Sequence, residues 1–335
     1  MTRPVAWGVL GVAKIATAKV IPAMQQGTLS HVAAIASRDA GRAAAAAASL
    51  GIPKSYGSYE ALLADPEIEA VYIPLPNHLH VPWAVKAMQA GKHVLCEKPI
   101  ALTADEARQL ITARDHSGRE VAEAFMVRHH PQWQRARALV HEGRIGRVRA
   151  IQTFFSYYND DPANIRNQAD IGGGALYDIG CYALVTARYL FADEPERMVA
   201  AIDRDPATGI DRLTSGLVEF PGGRHLTFTC STQASAHQRV TVVGTDGRIE
   251  VDLPFNADPM APSRIRIDDG RDLKGGGLVI EDLPPCDQYT LQGDAFSRVI
   301  RGEAALDFTI EDAVWNLRLI DCLFRSGVSG RWERP

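Results

Sequence analysis

Apolar and polar positions follow two different rhythms along this chain. Over the first 124 residues, short apolar runs at 5–10, 31–37, 70–76, 93–97 and 120–125 are separated by helix-period segments at 39–50, 59–63 and about 82–90. Runs that stay apolar on consecutive positions suit strands buried on both faces, and helices between them predict βαβ units around a parallel sheet. The alanine-rich segment 39–50 is a strong helix former that stops at Gly51. After Phe125 the rhythm changes. A helix is predicted near 131–142, strands at 147–158, a glycine-rich loop and helix at 170–191, and alternating strands from 197 to 253. Pro221-Gly222-Gly223 and Asp246-Gly247 separate those strands as turns, the pattern of a largely antiparallel sheet in an α+β domain. Residues 290–327 return to a helical period, and Lys274 with its three following glycines is a local loop.

The most informative points are where apolar strands stop. Residues 93–100 read His-Val-Leu-Cys-Glu-Lys-Pro-Ile, and Pro99 removes a backbone donor, so the strand ends with Lys98 at its carboxyl edge. In a doubly wound α/β fold that edge binds nucleotides and substrates. A lone Lys-Pro is also an ordinary turn, and the amino terminus weighs against that. There, Gly11, Ala13 and Ala16 occupy the positions of a G-x-G-x-x-G/A fingerprint, with the segment Gly11, Val12, Ala13, Lys14, Ile15 running into a helix whose start would face a pyrophosphate. The second strand ends in Ser37-Arg38-Asp39. Arginine suits a ribose 2′-phosphate and an acid suits a free 2′-hydroxyl, so Ser37 and Arg38 favour NADP(H) while Asp39 leaves room for NAD(H). Pro76, Asn77, His78 and His80 follow the end of the 70–76 strand.

Length and composition narrow the field. A chain of 335 residues predicts two domains, here 1–124 and 125–335, with the helices of 290–327 packing back on the molecule. A net charge of −4 without a basic stripe argues against nucleic acid, and the apolar runs are too short for a bilayer. Five scattered cysteines lack C-x-x-C or metal spacing, which fits reduced thiols, and no metal site is predicted. Arg3 and the apolar stretch after it faintly mimic a signal peptide, but cleavage there would remove the nucleotide loop, so a cytoplasmic location is expected.

The fingerprint, Glu97-Lys98-Pro99, the segment from Ala124 to Pro131, and the segment Gly172-Gly-Gly-Ala-Leu-Tyr-Asp-Ile-Gly-Cys-Tyr182, in that order, resemble the glucose-fructose oxidoreductase / inositol dehydrogenase (Gfo/Idh/MocA) family over essentially the whole chain. The resemblance implies an α/β fold in which a Rossmann-type doubly wound parallel sheet is followed by an α+β domain with a large, mostly antiparallel open sheet. It also implies a nicotinamide cofactor, a sugar, polyol or related diol as substrate, and a homo-oligomer, dimer or tetramer, formed through the open sheet. Many relatives carry histidine where this chain has Tyr182, as in the glucose-fructose oxidoreductase and dihydrodiol dehydrogenase branches.

By the same resemblance Lys98, Asp178 and Tyr182 are the catalytic candidates. Gly11 to Ile15, Ser37, Arg38, Pro76, Asn77, His80, Glu97 and Lys98 are expected at the cofactor, and Arg128, His130 and Arg166 are weaker substrate candidates. Oxidising an alcohol requires a base for the hydroxyl proton, and a free tyrosine with pKa near ~10 is a poor one. A neighbouring lysine and an oxidised nicotinamide would both lower it. Tyr182 is therefore expected to carry the proton, Lys98 to bond the reacting oxygen and Asp178 to orient. Exchange of the first two roles stays open. The expected activity is an NADP(H)-preferring oxidoreductase, foremost an aldose 1-dehydrogenase forming a lactone. Alternatives are a keto-sugar reductase, a trans-dihydrodiol dehydrogenase and, against the retention of Lys98 and Tyr182, a non-catalytic nucleotide sensor.

Overall fold

The computed structural model describes residues 3–335. In chain order the strands are β1 Val5–Leu10, β2 Ser30–Ala36, β3 Lys54–Tyr56, β4 Ala70–Ile73, β5 His93–Glu97, β6 Val121–Ala124 and β7 Val148–Tyr158. They continue as β8 Arg197–Arg204, β9 Asp211–Phe220, β10 Arg224–Ser231, β11 Gln233–Gly244, β12 Arg248–Val251, β13 Ser263–Asp268 and β14 Leu278–Leu283. The α-helices are α1 Ile21–Met24, α2 Ala40–Leu50, α3 Tyr59–Leu63, α4 His80–Gln89, α5 Ala104–Ser117, α6 Pro131–His141, α7 Cys181–Phe191, α8 Gln288–Ile300 and α9 Ile310–Ser329. The chain divides into two units, Met1–Met126 with Asp287–Leu317, and Val127–Cys286 with Arg318–Pro335.

In the first unit the strands run β3-β2-β1-β4-β5-β6, and every neighbouring pair is parallel. The order reverses between β1 and β4, which in such sheets opens a crevice at the carboxyl ends of those strands. The consecutive apolar residues read in the sequence are the buried strands: Val5, Trp7 and Val9 of β1 and Tyr72 of β4 have no exposed surface. Trp7 explains why α8 belongs here. Its indole N–H donates to Ser297 Oγ at 3.2 Å and its ring meets Phe296 at 5.9 Å. The second domain expected over 125–335 is thereby interrupted, since a buried tryptophan needs both an apolar neighbour and an acceptor, and α8 supplies them.

One helix of this unit, α5, escapes a search for apolar period because only Ala104, Ala107 and Leu110 are buried. It is defined by its ends. Thr103 Oγ1 accepts from Glu106 N, the Glu106 carboxylate accepts from Leu102 N, and Gly118 closes the helix at φ 64°.

The second unit holds a sheet ordered β14-β13-β12-β11-β7-β10-β9-β8, antiparallel except between β7 and β10. α6 lies on β12 and β13, and α7 on β7. Strands β13 and β14 extend the sheet beyond residue 253. β13 alternates buried Ile265 and Ile267 with Arg264 and Arg266, whose partners are Asp282 and Asp252, so its charged positions mask a half-buried strand. The face turned from the helices carries a shallow hollow of about 600 Å³, lined by residues including Phe154, Val199, Leu217, Thr229 and His237. No helix among the described residues is long and apolar enough to cross a membrane.

Candidate active site

β1 is followed by Gly11, whose N–H donates to Ala36 O at 2.8 Å and whose φ of +112° is open to glycine. A Cβ there would also come within 3.0 Å of Leu75 Cδ2. Val12, Ala13, Lys14 and Ile15 lead into a wide π-helical turn, Ala16–Val20, continued by α1. Ile15 at its start offers no side-chain cap. Ser37 is buried, and its Oγ accepts from Asp39 N at 3.2 Å. Asp39 Oδ1 accepts from Arg42 N at 3.0 Å, so this acid caps α2. Arg38 is exposed at the strand end, and Arg42 Nη2 donates to Val12 O at 2.9 Å. The sequence reading passed over Arg42, although its place three residues after an N-cap aspartate puts it in the first turn of α2.

Pro76 and Asn77 are half-buried just after β4, and Lys98 is half-buried just after β5, where the Lys98–Pro99 peptide is cis. Three different elements hold that turn. Glu97 accepts from the Tyr72 hydroxyl at 2.6 Å and from Lys98 N at 3.3 Å, and burial followed by the Glu97 charge holds the Tyr72 phenol well above its ordinary pKa. Glu123 Oε1 accepts from Ile100 N at 2.9 Å. His80, wholly buried, sets Nδ1 2.8 Å from Pro99 O and Nε2 2.7 Å from Leu75 O. The cofactor contact expected of His80 is corrected accordingly, because a side chain with no exposed surface and both ring nitrogens on backbone carbonyls has nothing to offer a dinucleotide. Glu97 likewise turns its carboxylate to Tyr72.

In the second unit the glycine turn before Asp178 folds back on the preceding loop, with Gly173 N donating to Gln168 O at 2.9 Å and Gly174 N to Arg166 O at 2.8 Å. Gly174 has φ +119°, and a Cβ there would meet Asp211 Oδ1 at 1.9 Å. Asp211 Oδ2 accepts from Leu176 N at 2.7 Å and Thr214 Oγ1 at 3.1 Å. It thus holds the first residue of a second π-helical turn, Leu176–Gly180, that runs into α7. Burial raises the Asp211 carboxyl to about 6, against the pull of those hydrogen bonds.

Asp178 sits inside this turn with Arg166 Nε 3.0 Å from Oδ1, while Oδ2 accepts from the Tyr157 hydroxyl at 2.5 Å. Burial, and then the Asp178 charge, hold the Tyr157 phenol far above its usual range, so it stays a neutral donor. Nothing in Phe154-Phe155-Ser156-Tyr157-Tyr158 singles out Tyr157, and its neighbour Tyr158 is 65% exposed. Tyr182 is 4% exposed, its ring centroid 5.8 Å from Phe155 and 5.1 Å from Phe255. Phe255 itself lies 6.1 Å from Trp133 and is fixed by Gln238 Oε1, which accepts from Phe255 N and Asn256 N. The phenol is thus collared by apolar rings.

One of the weaker substrate candidates is corrected. His130 is 1% exposed, its Nδ1 accepts from Gln132 N at 3.1 Å as the cap of α6, and its Nε2 lies 3.4 Å from Ser263 Oγ. Its pKa falls to about 4 by burial. Arg128 is buried, at 8% exposed. Arg166 keeps 40% of its side chain exposed beside Asp178.

The first unit carries a cradle shaped for a dinucleotide with a lysine at a neighbouring strand end, and the second, by itself, carries a buried phenol and an anchored acid. The chain belongs to the Gfo/Idh/MocA oxidoreductases: residues 5–125 match the oxidoreductase-family NAD-binding Rossmann fold, and residues 133–250 match the GFO/IDH/MocA C-terminal domain. It is 50% identical over 329 residues to an uncharacterized oxidoreductase of Rhizobium meliloti, covering 98% of each chain. It is 40% identical over 325 residues to the D-xylose 1-dehydrogenase (NADP(+)) 2 of Haloferax volcanii, covering 97% of this chain and 98% of that one. A 3-ketoreductase from Actinomadura kijaniata, solved with NADP and TDP-benzene, superposes with a TM-score of 0.90 at 29% identity, over 97% of this chain and 98% of the other.

Proposed function

We propose that this chain is an NADP(H)-preferring oxidoreductase of sugars or polyols, acting as an aldose 1-dehydrogenase that forms a lactone. The observation that carries this reading is the whole-length similarity to a D-xylose 1-dehydrogenase, with Lys98, Asp178 and Tyr182 all present. NADP(H) is favoured because Asp39 is engaged as a helix cap while Arg38 stands exposed at the strand end, with Arg42, tied to the Val12 carbonyl, in the first turn of α2. Gly11 to Ile15 would hold the pyrophosphate, with Pro76 and Asn77 nearer the nicotinamide. The cofactor supplies the hydride acceptor when bound. Lys98 would bond the reacting oxygen, Tyr182 would take the hydroxyl proton within its apolar collar, and Asp178, clamped by Arg166 and Tyr157, would orient the substrate. The similarity to a 3-ketoreductase favours a second reading, reduction of a keto-sugar with the same residues. Self-association through the open sheet face, where Phe154 is 36% exposed, completes the proposal.

Absorbance of reduced nicotinamide across a panel of aldoses, cyclitols, diols and keto-sugars tests the reading: NADP⁺ reduction with aldoses is expected, and activity confined to keto-sugars with NADPH supports the alternative. Lys98→Met should lower turnover by at least about a hundredfold with cofactor affinity little changed. Tyr182→Phe should remove both most of the turnover and its rise with pH. A Phe variant that keeps the pH limb with only a higher KM assigns the proton to Lys98.

A further inference from the structure

His80 is the part of the first unit whose chemistry has no place in the scheme above. Both nitrogens of this buried ring face carbonyl oxygens, Pro99 O at 2.8 Å and Leu75 O at 2.7 Å. Burial lowers its pKa to about 4 while the two carbonyl contacts act to raise it, and at least one ring N–H donates to one of those carbonyls. The two carbonyls belong to different ligand-edge segments: Pro99 follows Lys98, and Leu75 precedes Pro76 and Asn77. Other ties on the lysine turn reach Glu97 and Ile100, on either side of the Lys98–Pro99 peptide.

We infer that His80 is a positioning residue for Lys98, acting through the bond between its Nδ1–H and the Pro99 carbonyl. This rests on the reading that Lys98 takes part in the reaction. The ring fixes the carbonyl next to the lysine, and with it the direction in which the ammonium leaves the strand end. An error of about 1 Å at such a group is worth up to about a hundredfold in rate.

Two near-isosteric variants separate the ring nitrogens. The amide nitrogen in His80→Asn falls near Nδ1 and retains a donor to Pro99 O, whereas that in His80→Gln falls near Nε2 and retains the one to Leu75 O. The expected result is that His80→Asn keeps kcat within about threefold, while His80→Gln loses about tenfold in kcat with NADP(H) affinity changed by less than about threefold. The acetylation rate of Lys98, measured by mass spectrometry against exposed Lys14, should rise in His80→Gln and stay unchanged in His80→Asn. Equal effects of the two variants on kcat and on Lys98 acetylation, with an equal drop in thermal midpoint, would reduce His80 to a core residue and overturn the inference. If Lys98→Met retains turnover, the catalytic reading fails while the acetylation contrast still decides the role of His80.

Discussion

Each unit contains a glycine turn that enters a helix through a wide π-helical turn, and the two helix starts are filled in opposite ways. At Ala16–Val20 the preceding residue brings no side-chain cap, and Gly11 keeps the approach clear of a Cβ. At Leu176–Gly180 the first N–H is already taken by the buried Asp211 carboxylate, and Gly174 is small because that carboxylate lies where its Cβ would be. A helix start offers N–H groups and partial positive charge to an anion. In the first unit the anion is expected to be a ligand; in the second it is part of the protein. The same local motif is therefore expected to take a ligand anion in one place, and in the other it carries its own carboxylate beneath the segment of Asp178 and Tyr182.

The largest effects should come from adding one methyl group to each turn. Gly174→Ala drives a Cβ into Asp211 at a backbone angle hostile to side chains, and should lower unfolding free energy by about 3 kcal/mol or more. Gly11→Ala also meets an unfavourable φ, but its nearest neighbour is a Leu75 methyl at 3.0 Å, the far end of a flexible side chain rather than a carboxylate in the way. It should cost about 1 kcal/mol in stability and more than about tenfold in NADP(H) affinity. Denaturant unfolding and cofactor fluorescence titration read the two. Equal losses of stability would erase the distinction between the two turns.

How legible each turn was follows from the same difference. The first could be read because its function lies in backbone shape, which Gly11, Ala13 and Ala16 record locally at the end of an apolar strand. The lysine turn announced itself through Pro99 in the same way. The second turn could be placed only by resemblance, since its acid partner Asp211 lies 35 residues downstream of Leu176 and the Asp178 partner Tyr157 lies 21 upstream. Phe255, against Tyr182, is farther still. His80 and His130 misled for a related reason: a histidine in a motif looks available until its burial and carbonyl or amide partners are known. Helix α5 and strand β13 were obscured because their polar faces diluted the apolar period.

A smaller and pH-dependent effect should follow from Asp211. Its folded carboxyl binds a proton with pKa about 6, above the ~4 of an unfolded aspartate. Below both values the proton is bound in either state and nothing is lost. As pH rises from about 4 to about 6 the unfolded state ionises first, so stability falls over that window by up to about 3 kcal/mol and is flat above it. Asp211→Asn keeps an acceptor for Leu176 N without ionising, and the gap between the two proteins should shift in its favour across that window. Asp211→Ala leaves a buried N–H without its acceptor and should sit about 1–3 kcal/mol below Asp211→Asn at neutral pH. A gap between wild type and Asp211→Asn that does not change with pH would show that this carboxyl has the same pKa folded and unfolded, so that burial does not raise it.

The smallest effect tests the ligand side of the comparison. Arg38 is exposed and Asp39 is committed to its helix cap, so removing the Arg38 guanidinium should leave folding within about 0.5 kcal/mol of wild type. Its loss should fall on one cofactor. Arg38→Ala is expected to weaken NADP(H) by about tenfold, the scale of a single charge-assisted contact with phosphate, and to leave NAD(H) almost unchanged. Arg42, held to the Val12 carbonyl, would retain part of the phosphate affinity, so Arg38→Ala combined with Arg42→Ala should bring the two cofactors closer to parity. Parallel weakening of NADP(H) and NAD(H) in titrations of both variants would move these arginines away from the 2′-phosphate and leave the strand end as a helix cap with two surface charges.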